Sequence, residues 1–236
     1  MFETYCFIDK SKKVIPFRPE TDIKYQPYNF KQWRRLFPFA PPKNNYRDLQ
    51  MTNIGVYSIA KKHTCEVIVD AIRSALPVNK KIVVTEGTGG VGGLSMFLAK
   101  AFHRVNIVEI TETHTNVIRN NMKVYGINRD RYKVIQGDFL NLMLTLKQDV
   151  VFLDPPWGGV DYRKRRQIQL ALNNVNIACI VNRLAKKKVC KLFVMPIPYN
   201  YDLVNFLEIM KEHDVEIKRT NKNVRNKHNI LIVKIN

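Results

Sequence analysis

An acid, two prolines, an indole and two glycines stand in a row at 154–159, directly after the apolar run 150–153. That order of residue types suits one difficult reaction. The exocyclic amine of a purine is a poor nucleophile, because its lone pair is delocalised into the ring. A site that makes it react must offer acceptors to the amino hydrogens and hold the flat base in line with the electrophile. Asp154 supplies a carboxylate, and the Pro155–Pro156 unit presents a backbone carbonyl rigidly. Trp157 supplies a face on which a base can stack. The plain alternative is that Asp154 closes a turn and Trp157 fills the core. Gly158 and Gly159 weigh against it, since they clear space for a close-approaching ligand.

A second group lies upstream. Gly87, Gly89 and Gly92 have the G-x-G-x-x-G spacing after the apolar run 81–86, and Glu109 closes the next apolar run. Such a loop lets backbone approach a pyrophosphate while the acid holds ribose hydroxyls. It serves the methionine half of S-adenosylmethionine equally well, so by itself it leaves a dehydrogenase and a methyltransferase both open. A nucleoside-triphosphate loop is excluded, because Leu94 and Ser95 stand where the G-K-[ST] signature would continue. A hydride-transfer enzyme has no use for the acid–proline–tryptophan loop. The two groups together select a methyltransferase.

These residues can act together only if strands carry them to one rim. Short apolar runs predict strands at 81–86, 104–110, 132–138, 149–154, 191–198 and 229–236. Helices are predicted at 59–76, with Ile59, Val67, Ala71 and Leu76 on one face, and at 94–102. Another is predicted at 112–126, with Thr111 as its cap and Gly126 as its stop, and two more near 167–187 and 201–213. Alternation of this kind predicts a doubly wound, mainly parallel α/β sheet, with ligands beyond the carboxyl ends of the strands. The loop at 86–93, Glu109, Asp138 and the loop at 154–159 all fall at such ends. Residues 1–50 read as an extended arm docking through Tyr28, Phe30, Trp33, Leu36 and Phe37.

Composition narrows the partner. Lys and Arg number 39 against 20 Asp and Glu, a net charge of +19. AT-rich coding accounts for much lysine, asparagine and isoleucine, but less for the arginines of KQWRRLF (31–37) and YRKRRQ (162–167). A polyanionic partner, nucleic acid, is expected. No run is apolar enough to span a membrane and no secretion signal stands at the N-terminus, so an intracellular, soluble protein of nucleus or cytoplasm is expected. Cys6, Cys65, Cys179 and Cys190 are scattered, which predicts reduced thiols and no metal.

FLDPPWGGVDY resembles the S/D-P-P-W-G-G-P-D-Y loop of the trimethylguanosine synthase family, the RNA cap guanine-N2 methyltransferases. EGTGGVGG resembles that family's D-x-x-C-G-V-G-G loop. VNIVEI with NNMKVYGI resembles its I-D-I-D and N-N-A-x-V-Y-G-I segments, and QGDFLNL its GDF turn. WRRLF and NIGVYSIAKK resemble its RLFSR and EGWFSVTPE stretches, so the likeness spans about 31–235.

The resemblance implies a class I methyltransferase fold with a seven-stranded sheet, residues 59–236 forming the Rossmann-like domain and 1–58 an arm that adds to the cap and cofactor site. It implies S-adenosyl-L-methionine as cofactor, a 7-methylguanosine-capped RNA as substrate, and a monomer. Trp157 would stack on 7-methylguanine, a cationic base for which indole is the best ring. Asp154 and Pro155 would orient the amine. Glu109 would hold the cofactor ribose, Asp138 the adenine amine and Phe139 its face. Glu86, Gly87, Gly90, Ser58 and Asp154 would line the rest of the cofactor, and Tyr162, Lys31, Arg34 and Arg35 would reach the cap phosphates.

The sequence departs from the family at Glu86 (Asp in the family), Asp154 (more usually Ser), Ala60 (Thr) and Ile197, where a phosphate-binding arginine stands. Arg163 to Arg166 are candidates for the missing contact. Asp154 keeps open a second substrate, an internal guanine or adenine amine in RNA or DNA. A catalytically silent RNA- or cap-binding protein is the reading from another class. The minimal length and AT-rich composition fit a large DNA virus or an AT-rich unicellular eukaryote.

Overall fold

Each apolar run in the first two-thirds of the chain is short and ends in a polar residue or glycine, the pattern of a parallel strand closing at a loop. The computed structural model describes residues 22–37, 39–76, 81–219 and 229–235. They fall into two compact units, one ending at Phe152 and one running from Leu153.

In the first unit, β1 (Val83–Glu86) lies between β2 (Arg104–Glu109) and β4 (Val150–Phe152), and β3 (Tyr132–Gln136) pairs with β2, all parallel. Parallel pairing requires crossovers. Among these are α4 (Gly93–Ala101) after β1, and α5 (Glu112–Val124) after β2. The buried amide of Asn106 on β2 is satisfied: its Nδ2 donates to Thr85 Oγ1 and to the Lys147 carbonyl, each at 3.1 Å. Before β1, α3 (Lys62–Ala75) buries Cys65, Ile68, Val69, Ala71 and Ile72. That stripe corrects the predicted face, because the helix starts three residues later than expected and Ile59 packs from outside it.

Thr111 stands at the N-cap of α5 without a side-chain capping bond. Its hydroxyl has no part there, and its backbone N–H instead donates to Glu109.

The N-terminal segment is helical where it docks. Asn29 accepts from the Gln32 N–H at 3.0 Å and starts α1 (Phe30–Leu36). Trp33, Leu36 and Phe37 are buried, at helical spacing, while Tyr28 and Phe30 remain 40% and 46% exposed. The latter two only flank the contact, edge-on to Trp33 and Tyr46. The segment is fastened to α5 at several points. The Asn121 side chain accepts from the Gln50 N–H at 2.8 Å and donates to its carbonyl at 3.0 Å, and the Tyr125 hydroxyl donates to the Phe39 carbonyl at 2.7 Å. A short helix, α2 (Gly55–Ser58), leads toward α3. A further one, α6 (Phe139–Leu142), comes after β3.

In the second unit, the predicted helix near 167–187 shortens to α7 (Ile177–Lys186). It is preceded by a ribbon of β5 (Ala171–Leu172) and β6 (Val175–Asn176). Asn173 and Asn174, at φ 44° and 64°, turn that ribbon, as consecutive asparagines in the left-handed region do in a tight hairpin. β7 (Leu192–Ile197) and β8 (Asp214–Arg219) both pair antiparallel with β9 (Asn229–Lys234). β8 was not expected from the sequence, because its alternating charges resemble a solvated loop. Helix α8 (Leu203–Ile209) starts at Asp202, whose side chain accepts from the Asn205 N–H. Cys6 lies outside the described residues, as does Asn236 at the end of the last predicted strand; Cys65, Cys179 and Cys190 are buried thiols outside any disulfide. No described helix is long and apolar enough to cross a membrane.

Candidate active site

The first unit holds the glycine loop and the acids around it. Glu86 ends β1 at 2% exposure, and Ser95, in the first turn of α4, donates its hydroxyl to that carboxylate. The loop between them is packed from below and open above. A Cβ on Gly89 would stand 2.8 Å from Ile107 Cγ2 and 3.0 Å from Ile118 Cδ1, so Gly89 serves close packing on β2 and α5. Gly90 is the opposite case, with φ +54° and open space where a side chain would project. The Gly87 N–H donates to the Phe152 carbonyl at 2.9 Å, which ties the loop to the end of β4.

Glu109 is the most constrained acid. Its two oxygens accept from the Gly90 N–H at 2.7 Å and the Thr111 N–H at 2.9 Å, and His114 Nδ1 lies 3.7 Å away. Burial pushes the carboxyl up, but the hydrogen bonds from His114, Thr111 and Gly90 outweigh it and hold Glu109 below its ordinary value. His114 Nε2 is in turn 3.1 Å from Thr52 Oγ1, which also accepts from the Gly55 N–H at 2.9 Å. All three side chains are buried. A continuous polar chain therefore runs from the 52–55 turn through His114 and Glu109 to Gly90. Sequence reasoning missed Thr52, His114 and Ser95. Only the position of His114, five residues beyond Glu109 on the next helix, hinted at contact.

Asp138 starts α6 and accepts from the Leu140 N–H at 2.9 Å. Phe139 is 3% exposed, its ring packed inside the unit. Ser58, Lys31, Arg34 and Arg35 are exposed, the three basic residues along α1.

The second unit holds the loop 154–159 and the turn that continues it to Lys164. Asp154 is open to water, yet protein packs closely about it. The partial desolvation pushes its carboxyl up to about 7, opposed by the neighbouring Trp157 indole. The indole itself is half-buried. Trp157 and Tyr162 meet edge-to-face, ring centroids 5.3 Å apart, so Tyr162 covers at most one face of the indole. Gly158 and Gly159 take φ 85° and 67°, and a Cβ on Gly159 would meet nothing within 4 Å.

The turn 159–164 is pinned from behind. Asn200 Nδ2 donates to the carbonyls of Tyr162 and Arg165 at 2.8 Å each, and the Tyr199 hydroxyl donates to the Arg163 carbonyl at 2.8 Å. Ile197 is 2% exposed inside β7 and presents no polar contact there. Asn200 and Tyr199, three and two residues beyond it, are contributions that sequence reasoning missed.

The sequence profile of RNA cap guanine-N2 methyltransferases matches residues 81–236, more than half of the chain. The chain belongs to that family. Its members take a methyl group from S-adenosyl-L-methionine. Among relatives, an uncharacterized protein of Acanthamoeba polyphaga mimivirus is 33% identical over 66% of this chain and 59% of its own length. The trimethylguanosine synthase of Schizosaccharomyces pombe is 28% identical over 47% of each chain. The match thus spans about half to three-fifths of the length of these relatives.

A putative methyltransferase from Streptococcus mutans, solved with SAH, superposes with a TM-score of 0.52. It is 12% identical and covers 72% of this chain and 96% of its own. At that identity the likeness shows the fold, the class I methyltransferase α/β fold with its mainly parallel seven-stranded sheet. The residues present fit the family's cofactor. Gly90 leaves backbone open to a ligand, and Glu109 is held ionised beside it, ready to accept from ribose hydroxyls.

Proposed function

We propose that this protein methylates the exocyclic N2 amine of 7-methylguanosine RNA caps. The observation that carries the reading is the placement of the Trp157 indole beside the Asp154 carboxylate, close enough to offset part of the effect of its desolvation. It couples the ring that would stack on a cationic base to the acceptor that would hold the base's amine. Stacking holds either base, and cation–π attraction adds about 1–2 kcal/mol for the methylated one, a preference of roughly five- to thirtyfold.

On this reading Asp154 and the Pro155 carbonyl take the two amino hydrogens and localise the nitrogen lone pair. S-adenosyl-L-methionine, when bound, supplies an electrophilic methyl carbon. Nitrogen gains that carbon and gives up one proton. A carboxyl at about 7 is matched to receive the proton at Asp154 and pass it to water. Glu109 would hold the ribose and Asp138 the adenine amine. Gly87 and Gly90 would present backbone, while Glu86 and Ser58 would line the methionine end. Phe139, being buried, would act as a wall of the adenine pocket rather than a free stacking face. Tyr162 would reach the cap phosphates, with Lys31, Arg34 and Arg35 as the further basic candidates and residues 1–58 contributing as a whole.

Labelled S-adenosyl-L-methionine offered with 7-methyl-GDP or GDP tests this. Transfer to 7-methyl-GDP alone is expected, and Trp157→Ala should lose it by about a hundredfold while cofactor affinity changes less than about twofold. Transfer to bulk RNA but to neither nucleotide would overturn it. Asp154 favours that second reading, an internal guanine or adenine amine, because a carboxylate at this position is unlike the more usual serine.

A further inference from the structure

On the first unit, a polar recess of about 570 Å³ is bordered by Tyr28, Lys43, Asn44, Asn45, Arg47 and Asp48. None of these residues belongs to the glycine loop or to the acids that flank it. The volume lies within the roughly 300–1,000 Å³ typical of small-ligand sites. We propose that this recess is a subsite for single-stranded RNA, holding one nucleotide of the chain that carries the cap. The proposal rests on the reading that the substrate is a capped RNA.

Four observations favour that occupant. Tyr28 is 40% exposed and offers a ring, with the Arg47 guanidinium 5.8 Å from its centroid. An aromatic face beside a guanidinium suits a base and its phosphate together. Asn45 donates its side-chain amide to the Asp48 carboxylate, which fixes both polar groups at the border. Lys43 and Asn44 both take left-handed backbone, φ 55° and 53°; for a lysine this is uncommon, and such strain concentrates where ligands are gripped. Finally, α1 packs on the 46–48 turn through the Phe30–Tyr46 ring contact at 5.6 Å, and carries exposed Lys31, Arg34 and Arg35. Lys43 and Arg47 line the recess, where Asp48 is the one acid among the lining residues, and the neighbouring α1 carries three further exposed cationic side chains. A neutral small molecule would not need that field, whereas a phosphodiester chain would.

Binding of an uncapped RNA decamer, followed by fluorescence anisotropy across a salt series, reads the recess without any methyl transfer. Arg47→Ala should weaken binding about fivefold and reduce the salt slope by about 0.7, the value for one phosphate contact on a single strand. Tyr28→Ala should weaken binding by a similar factor, about fivefold, with the slope unchanged, because stacking releases no counterion. Both side chains are exposed, and Arg47→Lys should keep the slope, which separates charge from misfolding. The KM for a capped decamer should rise in both alanine variants, while the KM for 7-methyl-GDP stays as in wild type. RNA affinity within twofold of wild type in both variants would overturn the proposal. So would an equal loss on 7-methyl-GDP and on the capped decamer. A protein inert on caps that still shows Arg47-dependent RNA binding would sink the cap reading and leave the recess standing.

Discussion

The Asp154–Trp157 pair has a consequence that only pH can display. Partial desolvation, only partly offset by the neighbouring Trp157 indole, pushes Asp154 up to about 7. If the carboxylate is the form that accepts the amino hydrogens, the transfer rate should climb as pH rises from 6 to 8 and level off above. Trp157→Phe retains a stacking face but removes the indole N–H. Its residual activity should therefore show a profile displaced to higher pH, measured as kcat/KM for 7-methyl-GDP. An undisplaced profile would mean that Asp154 does not titrate in the step. These two residues were legible in the sequence because an acid, prolines, an aromatic and glycines rarely serve packing alone. The placement of the indole beside the acid was not, since spacing does not reveal how an indole turns.

At the level of elements, the glycine loop divides its labour in a way the motif conceals. Gly89→Ala would force a Cβ against Ile107 and Ile118. It should lower stability by about 1–3 kcal/mol, read as a fall in Tm, with cofactor binding affected only through folding. Gly90→Ala meets no atom within 4 Å, but carries left-handed backbone. It should lower stability by about 1–2 kcal/mol and weaken cofactor binding in a protein that is still folded. Calorimetry of unfolding and of binding on the two variants distinguishes them. The strands β1 to β4 were readable as apolar runs, and so were β7 and β9. The ribbon before α7 was not, because two asparagines in an apolar context look like a helix surface until the hairpin is seen. β8 escaped because an alternating charged strand has no apolar run to announce it, and α1 because two buried side chains in seven residues give too little periodicity.

For the molecule as a whole, charge and family were visible in the sequence and the recess at 28 and 43–48 was not. Its lining brings Tyr28, residues 42–48 and Val124 together from distant parts of the sequence. The site residues themselves came largely from the motif loops. What the motifs could not supply were the partners that hold them, such as Ser95 on Glu86 and Asn200 behind Tyr162. The buried chain from Thr52 through His114 to Glu109 and Gly90 makes this concrete. Two processes that look separate, retention of the N-terminal segment and occupancy of the glycine loop, share one chain of polar contacts and must therefore report on each other. Saturating S-adenosyl-L-methionine should slow protease cleavage between residues 39 and 53, and His114→Ala should abolish that protection before it abolishes the fold.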